Sequence, residues 1–311
     1  MKEAKIPYLY VTGASYSGST LLAFLLNAHP RMASISEAAG PLLITDFDNY
    51  QCSCGEPFLQ CGFYRELQRR MEAAGSTFDL TDWRTRFQAS RYRLLDIVLT
   101  RPLRSVLAER ARDALVPLYP GYRRAIAKTA LRNAHLARTV LEMTGKSVFV
   151  DAEKDSIRVK FLEQSGFFDL WVIHLVRDVR GGVNSYLKQN PQANTVPGGT
   201  EFWKNANLNA ERARRYVPAE RWMRLRYDDL CADTQGSIDR ITDFVGVDRA
   251  PVAEDFYAVE HHIVGSQMRL KRDATIKLDE GWKERLTDHD LDTIARIAGG
   301  ENRFFGFDWP R

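Results

Sequence analysis

Four groups of residues in this chain could do chemistry. The first is Gly13-Ala-Ser15-Tyr16-Ser17-Gly18-Ser19-Thr20, a run of small and hydroxyl-bearing residues between an apolar stretch and a helical one. Backbone N–H groups at such a turn, with the first turn of the helix behind them, cradle an anion. The spacing matches the nucleotide-binding pattern G-x-x-x-x-G-K-[ST], except that Ser19 stands where the lysine belongs. That lysine normally reaches the β- and γ-phosphates of a nucleoside triphosphate. Phosphate binding is therefore expected here, and ATP or GTP hydrolysis is not. The second group is Val172-Ile-His174-Leu-Val-Arg177-Asp-Val-Arg180-Gly-Gly-Val-Asn-Ser185, an apolar strand running into a helix. Arg177, at the junction, offers a planar fork to a phosphate, and Ser185, about two helical turns on, can add a hydroxyl. The third is Lys154, which follows Val150-Asp151-Ala-Glu153 and so belongs at the carboxyl edge of a sheet, where ligands bind in open α/β folds. The fourth is Cys52-Ser-Cys54 with Cys61. Structural zinc takes four ligands, often with two to four residues between cysteines. Here the spacing is C-x-C, only three cysteines are close and Cys231 is distant. Packed or redox-labile thiols are expected, and no metal.

The elements that must position these residues form an α/β pattern. Tyr8–Thr12, Ser147–Asp151, Leu170–Val176 and Trp222–Arg226 read as buried strands. A strand, the small-residue turn and a helix through Asn27 make the opening half of a βαβ unit. His29-Pro30 ends that helix, because the residue before proline is pushed out of the α region. Leu42–Gly75 reads as irregular. From Thr81 to Gly145 long side chains dominate and read as helix, beginning at Thr81-Asp82 and divided by Pro102, Pro117 and Pro120. Further helices are expected after Arg177, near Ser237–Val245 and over about Asp288–Ala298, the last stopped by Gly299-Gly300. The fold class is α/β: a P-loop-like parallel sheet flanked by helices, with a helical insertion. Residues 1–311 read as one α/β domain that includes a basic insertion at 80–146.

The stretch Gly13-x-x-Tyr16-Ser17-Gly18-Ser19-Thr20-Leu21-Leu22, with His29-Pro30 after it, resembles the 5′-phosphosulfate loop of sulfotransferases that use 3′-phosphoadenosine 5′-phosphosulfate (PAPS). The branch it resembles includes tyrosylprotein and carbohydrate sulfotransferases and many bacterial relatives. The resemblance implies that Ser15, Tyr16, Ser17, Gly18, Ser19 and Thr20 hold the 5′ side of the donor, and that Arg177 and Ser185 hold its 3′-phosphate. It also implies a catalytic role for Lys154. Tyr16 departs from the pattern, since family members usually carry Arg or Lys there; a phenol donates a hydrogen bond but brings no charge. Lys154 could supply the missing cation. Leu225-Arg-Tyr227-Asp-Asp-Leu230 resembles the segment whose tyrosine contacts the adenosine. Thr275-Ile-Lys277 and Gly281-Trp282 resemble the late loop that folds over the nucleotide, with Arg269 and Lys271 as nearby candidates.

Sulfuryl transfer needs an acceptor hydroxyl or amine in line with sulfur, a base for its proton, and positive charge on the departing oxygen, so positioning and electrostatics carry it. The resemblance implies that Glu37, in Ser34-Ile-Ser-Glu37 just after the first helix, is the general base. His135 and His174 are rivals, and His174, inside an apolar strand, reads as a core residue. No metal is required. The alternative is a P-loop nucleotide-dependent kinase or phosphotransferase, which the missing lysine disfavours.

Composition agrees with an ordinary globular enzyme: 44% hydrophobic and 27% charged, with a net charge of +4 that is too small to argue for nucleic acid. The charge is uneven. Leu80–Lys146 holds 14 Arg and Lys against 5 Asp and Glu, +9, leaving −5 for the rest. The insertion is expected to border the acceptor cleft, where its arginines would favour anionic substrates or a membrane surface. No stretch approaches the ~18 apolar residues of a membrane helix, and the apolar N-terminal run is too short for a signal-peptide core. The expectation is a bacterial cytoplasmic enzyme, able to pair as a homodimer, acting on a small-molecule or carrier-bound acceptor.

Overall fold

Alternation along the first strand organises the molecule. Tyr8 and Tyr10 pack into one core with Phe149, Phe168 and Val172, while Leu9 and Val11 pack into another with Val150, Ile173 and Leu175. Successive side chains of a strand point to opposite faces, so a sheet apolar on both faces must be covered by helices on both. The computed structural model describes residues 4–40, 44, 46–103, 105–119 and 121–309. Its elements are β1 (Ile6–Thr12), α1 (Ser19–Ala28), β2 (Met32–Ser36), α2 (Gly62–Ala73), α3 (Arg93–Thr100), α4 (Val106–Leu115), α5 (Tyr122–Thr144), β3 (Val148–Lys154), α6 (Ser156–Ser165), β4 (Phe168–Val176), α7 (Val179–Gln189), α8 (Val196–Ala213), β5 (Trp222–Arg226), α9 (Tyr227–Ala232), α10 (Thr234–Val245), α11 (Trp282–Arg285) and α12 (Asp288–Phe304).

The five strands are all parallel, in the order β2-β3-β1-β4-β5. The chain fills one side of β1 and then crosses to the other, and ligands bind outside the carboxyl ends of strands at such a switch. The turn after β1 opens at that place.

Several boundaries differ from the sequence reading. β2 was not expected. Its residues Met-Ala-Ser-Ile-Ser carry little β-branched character, yet all five are buried because the strand is the sheet edge beneath α1. Glu37 thus follows a strand rather than a helix. α2 lies inside the stretch read as irregular and buries Tyr64, Leu67 and Met71 at helical spacing. The start of that stretch, Leu42, and the divider Pro120 lie outside the described residues. Helix does not begin at Thr81-Asp82; Asp79 instead accepts from the Thr81 N–H at 2.7 Å in a local turn, and α3 starts at Arg93. α12 runs through Gly299-Gly300 to Phe304, because Ile294 and Ala298 are buried against Trp203 and Phe305 across α8 and packing overrides propensity. The 80–146 segment is of two kinds. α3 and α4 lead to α5, and α5 carries the chain from β2 back to β3, burying Ala130, Ala134, Ala137 and Val140 in the core that holds Tyr8 and Tyr10.

The sheet interior also carries a charged network. Asp151 of β3 is fully buried and accepts from Arg158 Nε at 2.8 Å and Tyr8 Oη at 2.7 Å, while Arg158 donates to Thr85 O at 3.0 Å and to Asn133. Removing one partner of a buried pair strands the other charge, which costs ~3–5 kcal/mol. Arg158→Met is therefore expected to lower the urea-unfolding free energy by about that amount. A loss within the ~0.5 kcal/mol of an ordinary surface substitution would contradict the assignment.

Candidate active site

At the carboxyl edge of the sheet, three residues other than glycine take left-handed backbone conformations: Tyr16 (φ 69°), Ser36 (φ 67°) and Lys154 (φ 72°). Such outliers cost ~1–3 kcal/mol each and gather where function demands a particular side-chain direction. Both pairings of β3 slip register beside them, between Tyr10 and Thr12 on β1 and between Ser34 and Ser36 on β2. The result turns Lys154 and Glu37 toward each other. Lys154 Nζ donates to Glu37 Oε1 at 2.6 Å and to Ala152 O at 3.0 Å, with side chains 15% and 26% exposed for Lys154 and Glu37. Burial works against the ammonium, but Glu37 and Glu153 outweigh it and hold the Lys154 pKa above its ordinary value.

The loop after β1 has the form of an anion cradle. Gly18 (φ +93°) precedes α1, whose first turn has no side-chain cap. A Cβ on Gly18 would sit 2.2 Å from the Tyr227 ring, so both backbone and space require glycine. Ser17 Oγ is buried with no hydrogen-bond partner, as are both amide atoms of Asn184, next to Ser185 on α7. Buried polar groups are ordinarily satisfied, and these orphans fit a polar ligand.

Arg177 lies on the Tyr227 ring, 4.7 Å from its centroid. Its guanidinium donates to Ser185 Oγ at 3.1 Å, to Tyr16 O at 3.3 Å, and to Asp279 through O at 2.9 Å and Oδ2 at 3.2 Å. The fork already accepts an anion. Burial alone would raise the Asp279 carboxyl, but hydrogen bonds from the Gly281 N–H and Arg177 hold its pKa below the ordinary value. The structure thus brings Arg177, Ser185, Tyr227 and the Tyr16 main chain together, and separately Glu37 with Lys154. The Tyr16 ring points toward Tyr186 and Phe202, at 6.2 and 6.5 Å. Thr20 Oγ1 lies 3.1 Å from Ser266 Oγ. Lys277 and Lys271 are exposed. Arg269 is buried and donates to carbonyls of Gln51, Gly265 and Ser266. His174 is a core residue bonded to Asn207, and His135 pairs with Ser76.

A cavity of about 300 Å³ opens beside the Glu37–Lys154 pair, lined by Ser15, Glu37, Glu153 and Lys154 and, from the basic segment, Arg86, Phe87 and Arg101. Sequence reasoning missed Glu153 and Asp279. Only their neighbours Lys154 and Lys277 carried a signal. Glu153 Oε2 accepts from the Ala39 N–H at 3.1 Å. Its carboxyl is pushed up to about 8 by burial and by the charges of Glu37 and Asp151.

Residues 7–251 match the profile of a family described as the sulfotransferase family. The chain belongs to that family. Among solved structures, this sulfotransferase is similar to the sulfotransferase domain of the Synechococcus PCC 7002 olefin synthase, at 20% identity and TM-score 0.57, over 99% of this chain and 98% of that one. It is also similar to the sulfotransferase domain from the curacin biosynthetic pathway, at 16% identity and TM-score 0.52, over 99% and 100%. At these identities the likeness is one of fold, and it agrees with the parallel sheet flanked by helices. No curated protein matches the chain. Among the described residues, no helix is long and apolar enough to cross a membrane.

The Glu153 shift fixes a sign. The native carboxyl keeps its proton to about pH 8, whereas the unfolded one releases it near 4.5. The native state therefore binds more protons in between, so this contribution to stability is full below about 4.5 and lost as pH rises through 8. Denaturation of the wild type and Glu153→Gln from about pH 5 to 8 should give a shallower decline for the variant. Parallel curves would contradict the shift.

Proposed function

We propose that this sulfotransferase moves the sulfuryl group of PAPS to a hydroxyl or amine of a small-molecule or carrier-bound acceptor. The observation that carries the reading is the Glu37–Lys154 contact beside a phosphate cradle whose buried polar atoms lack partners. The N–H groups of Gly18–Thr20, the start of α1 and the hydroxyls of Ser15, Ser17, Ser19 and Thr20 would hold the 5′ end. Arg177 and Ser185, with Asn184 beside them, would hold the 3′-phosphate in the place that Asp279 now fills. Tyr227 would meet the adenosine, with Lys277 on the loop beyond it. When bound, PAPS supplies the sulfuryl group and a phosphate leaving group.

The protein's own residues divide the rest. Glu37 accepts the acceptor's proton while the new bond to sulfur forms. Lys154 keeps an ammonium next to that base and presents positive charge to the oxygen that departs. A mostly buried ammonium of raised pKa stays charged through neutral pH, and its contact with Glu37 fixes both groups before an acceptor arrives. Tyr16, lacking charge, contributes its carbonyl to Arg177, and Lys154 supplies positive charge next to Glu37. The acceptor would enter by the 300 Å³ cavity, where Arg86 and Arg101 favour one bearing an anionic group. Family membership favours sulfuryl transfer over the nucleotide-dependent phosphotransferase alternative.

With labelled PAPS and a panel of acceptors, Glu37→Gln should lose ~10²–10⁴-fold in turnover, the span of a general base, and still bind adenosine 3′,5′-bisphosphate. Lys154→Ala should chiefly lower turnover, whereas Arg177→Ala should chiefly weaken bisphosphate binding. Near-normal turnover in Glu37→Gln, or unchanged bisphosphate affinity in Arg177→Ala, would overturn the respective role.

A further inference from the structure

The cysteine cluster gains a member that sequence spacing could not supply. Cys52, Cys54 and Cys61 meet His262, which follows them by some two hundred residues, and the four donor atoms lie within 4.8 Å of one another. The expectation of no metal rested on finding only three close donors; the fold provides the fourth. Cys52 and Cys61 are fully buried, and all the cysteines are free. Cys54 Sγ lies 3.7 Å from Cys61 Sγ, and His262 Nδ1 lies 3.3 Å from Cys61 Sγ and 3.7 Å from Cys52 Sγ. A tetrahedron with Zn–S ~2.3 Å and Zn–N ~2.0 Å has edges of ~3.8 Å between sulfurs and ~3.5 Å between sulfur and nitrogen. The three separations above match those edges, and the remaining pairs lie within 4.8 Å.

We propose that Cys52, Cys54, Cys61 and His262 hold a structural zinc ion. Three thiolates and one imidazole in a closed, buried tetrahedron suit zinc among the divalent metals. The outer contacts are those such a site uses. His262 presents Nδ1 to the sulfurs, while its Nε2 bonds to Glu260 Oε1 at 2.8 Å, which fixes ring and tautomer. Phe63 stacks on the imidazole at 4.3 Å and 8°. Three thiolates and a zinc ion leave one negative charge, and Arg272 lies over the loop, donating to Ser53 O at 3.2 Å.

The ion would tie the Cys52–Cys61 loop to the segment that follows His262. That segment brings Gly265 (φ +115°) against Glu37, where a Cβ would stand 3.0 Å from Oε1, and Ser266 against Thr20. The zinc thus shapes the wall beside Glu37 without reaching the reacting atoms. It stands on its four donors and does not depend on the role assigned to Glu37.

The decisive measurement is elemental analysis of the untagged full chain, purified without chelator. About one zinc per chain is expected, released to a metallochromic dye as a mercurial titrates the thiols. Cys54→Ser, at the least buried of the three sulfurs, should lose most of the zinc and show a lower, zinc-dependent Tm; Cys231→Ser should change neither. The proposal is overturned if the wild type dialysed against micromolar zinc holds below about a tenth of an equivalent, if iron fills the site, or if mass spectrometry finds a disulfide within the cluster. Should Cys54→Ser fail to fold, the wild-type measurements decide alone.

Discussion

A lysine and a glutamate far apart in sequence meet at the carboxyl edge of the sheet, and much of the structure serves that contact. Lys154 ends β3 and Glu37 follows β2, so the two arrive side by side only because those strands are neighbours and parallel. Regular strand geometry would alternate their side chains away from each other. The left-handed Ser36 and Lys154, and the register slips on both sides of β3, redirect them. That strain needs a rigid frame. The buried Asp151–Arg158–Tyr8 network joins β3, the helix that follows it and β1, and it holds β3 against β1 and α6 where the backbone departs from regularity.

The electrostatics of the edge follow from burial. Three carboxylates, of Glu37, Asp151 and Glu153, face two cations, of Lys154 and Arg158, within a small volume. Asp151 is matched by Arg158 and Glu37 by Lys154, and the remaining Glu153 keeps its proton to about pH 8. A neutral Glu153 lets Lys154 direct its charge at Glu37. On the other side of β1, Arg177 is held in one orientation by Ser185, the Tyr16 carbonyl and the Tyr227 ring, so its planar fork is preset.

Much of this was legible in the sequence. Four strands announced themselves as apolar runs, the glycine loop by its place between strand and helix, Arg177 and Lys154 by their places at strand ends, and Ser185 by its spacing from Arg177. What was missed has physical causes. β2 is a short edge strand whose small residues carry no β pattern, although all are buried. α12 continues through two glycines because its apolar face is packed. Glu153 and Asp279 differ from surface acids only in what surrounds them, and surroundings are a property of the fold. His262 is the clearest case: a four-residue cluster drawn from two distant segments has no spacing to read, and only the fold brings His262 to Cys52, Cys54 and Cys61.

We propose that two preformed anion sites flank β1 and select a 3′-phosphorylated adenosine donor rather than a nucleoside triphosphate. Calorimetric titration of the purified chain with adenosine 3′,5′-bisphosphate, adenosine 5′-phosphate and magnesium–ATP tests it directly. The bisphosphate should bind one per chain. Loss of the 3′-phosphate should weaken binding at least about tenfold, roughly what one charge-assisted Arg–phosphate bond of 1.5–3 kcal/mol supports, and magnesium–ATP should bind far more weakly. Equal affinity for the bisphosphate and adenosine 5′-phosphate, or preference for magnesium–ATP, would contradict it.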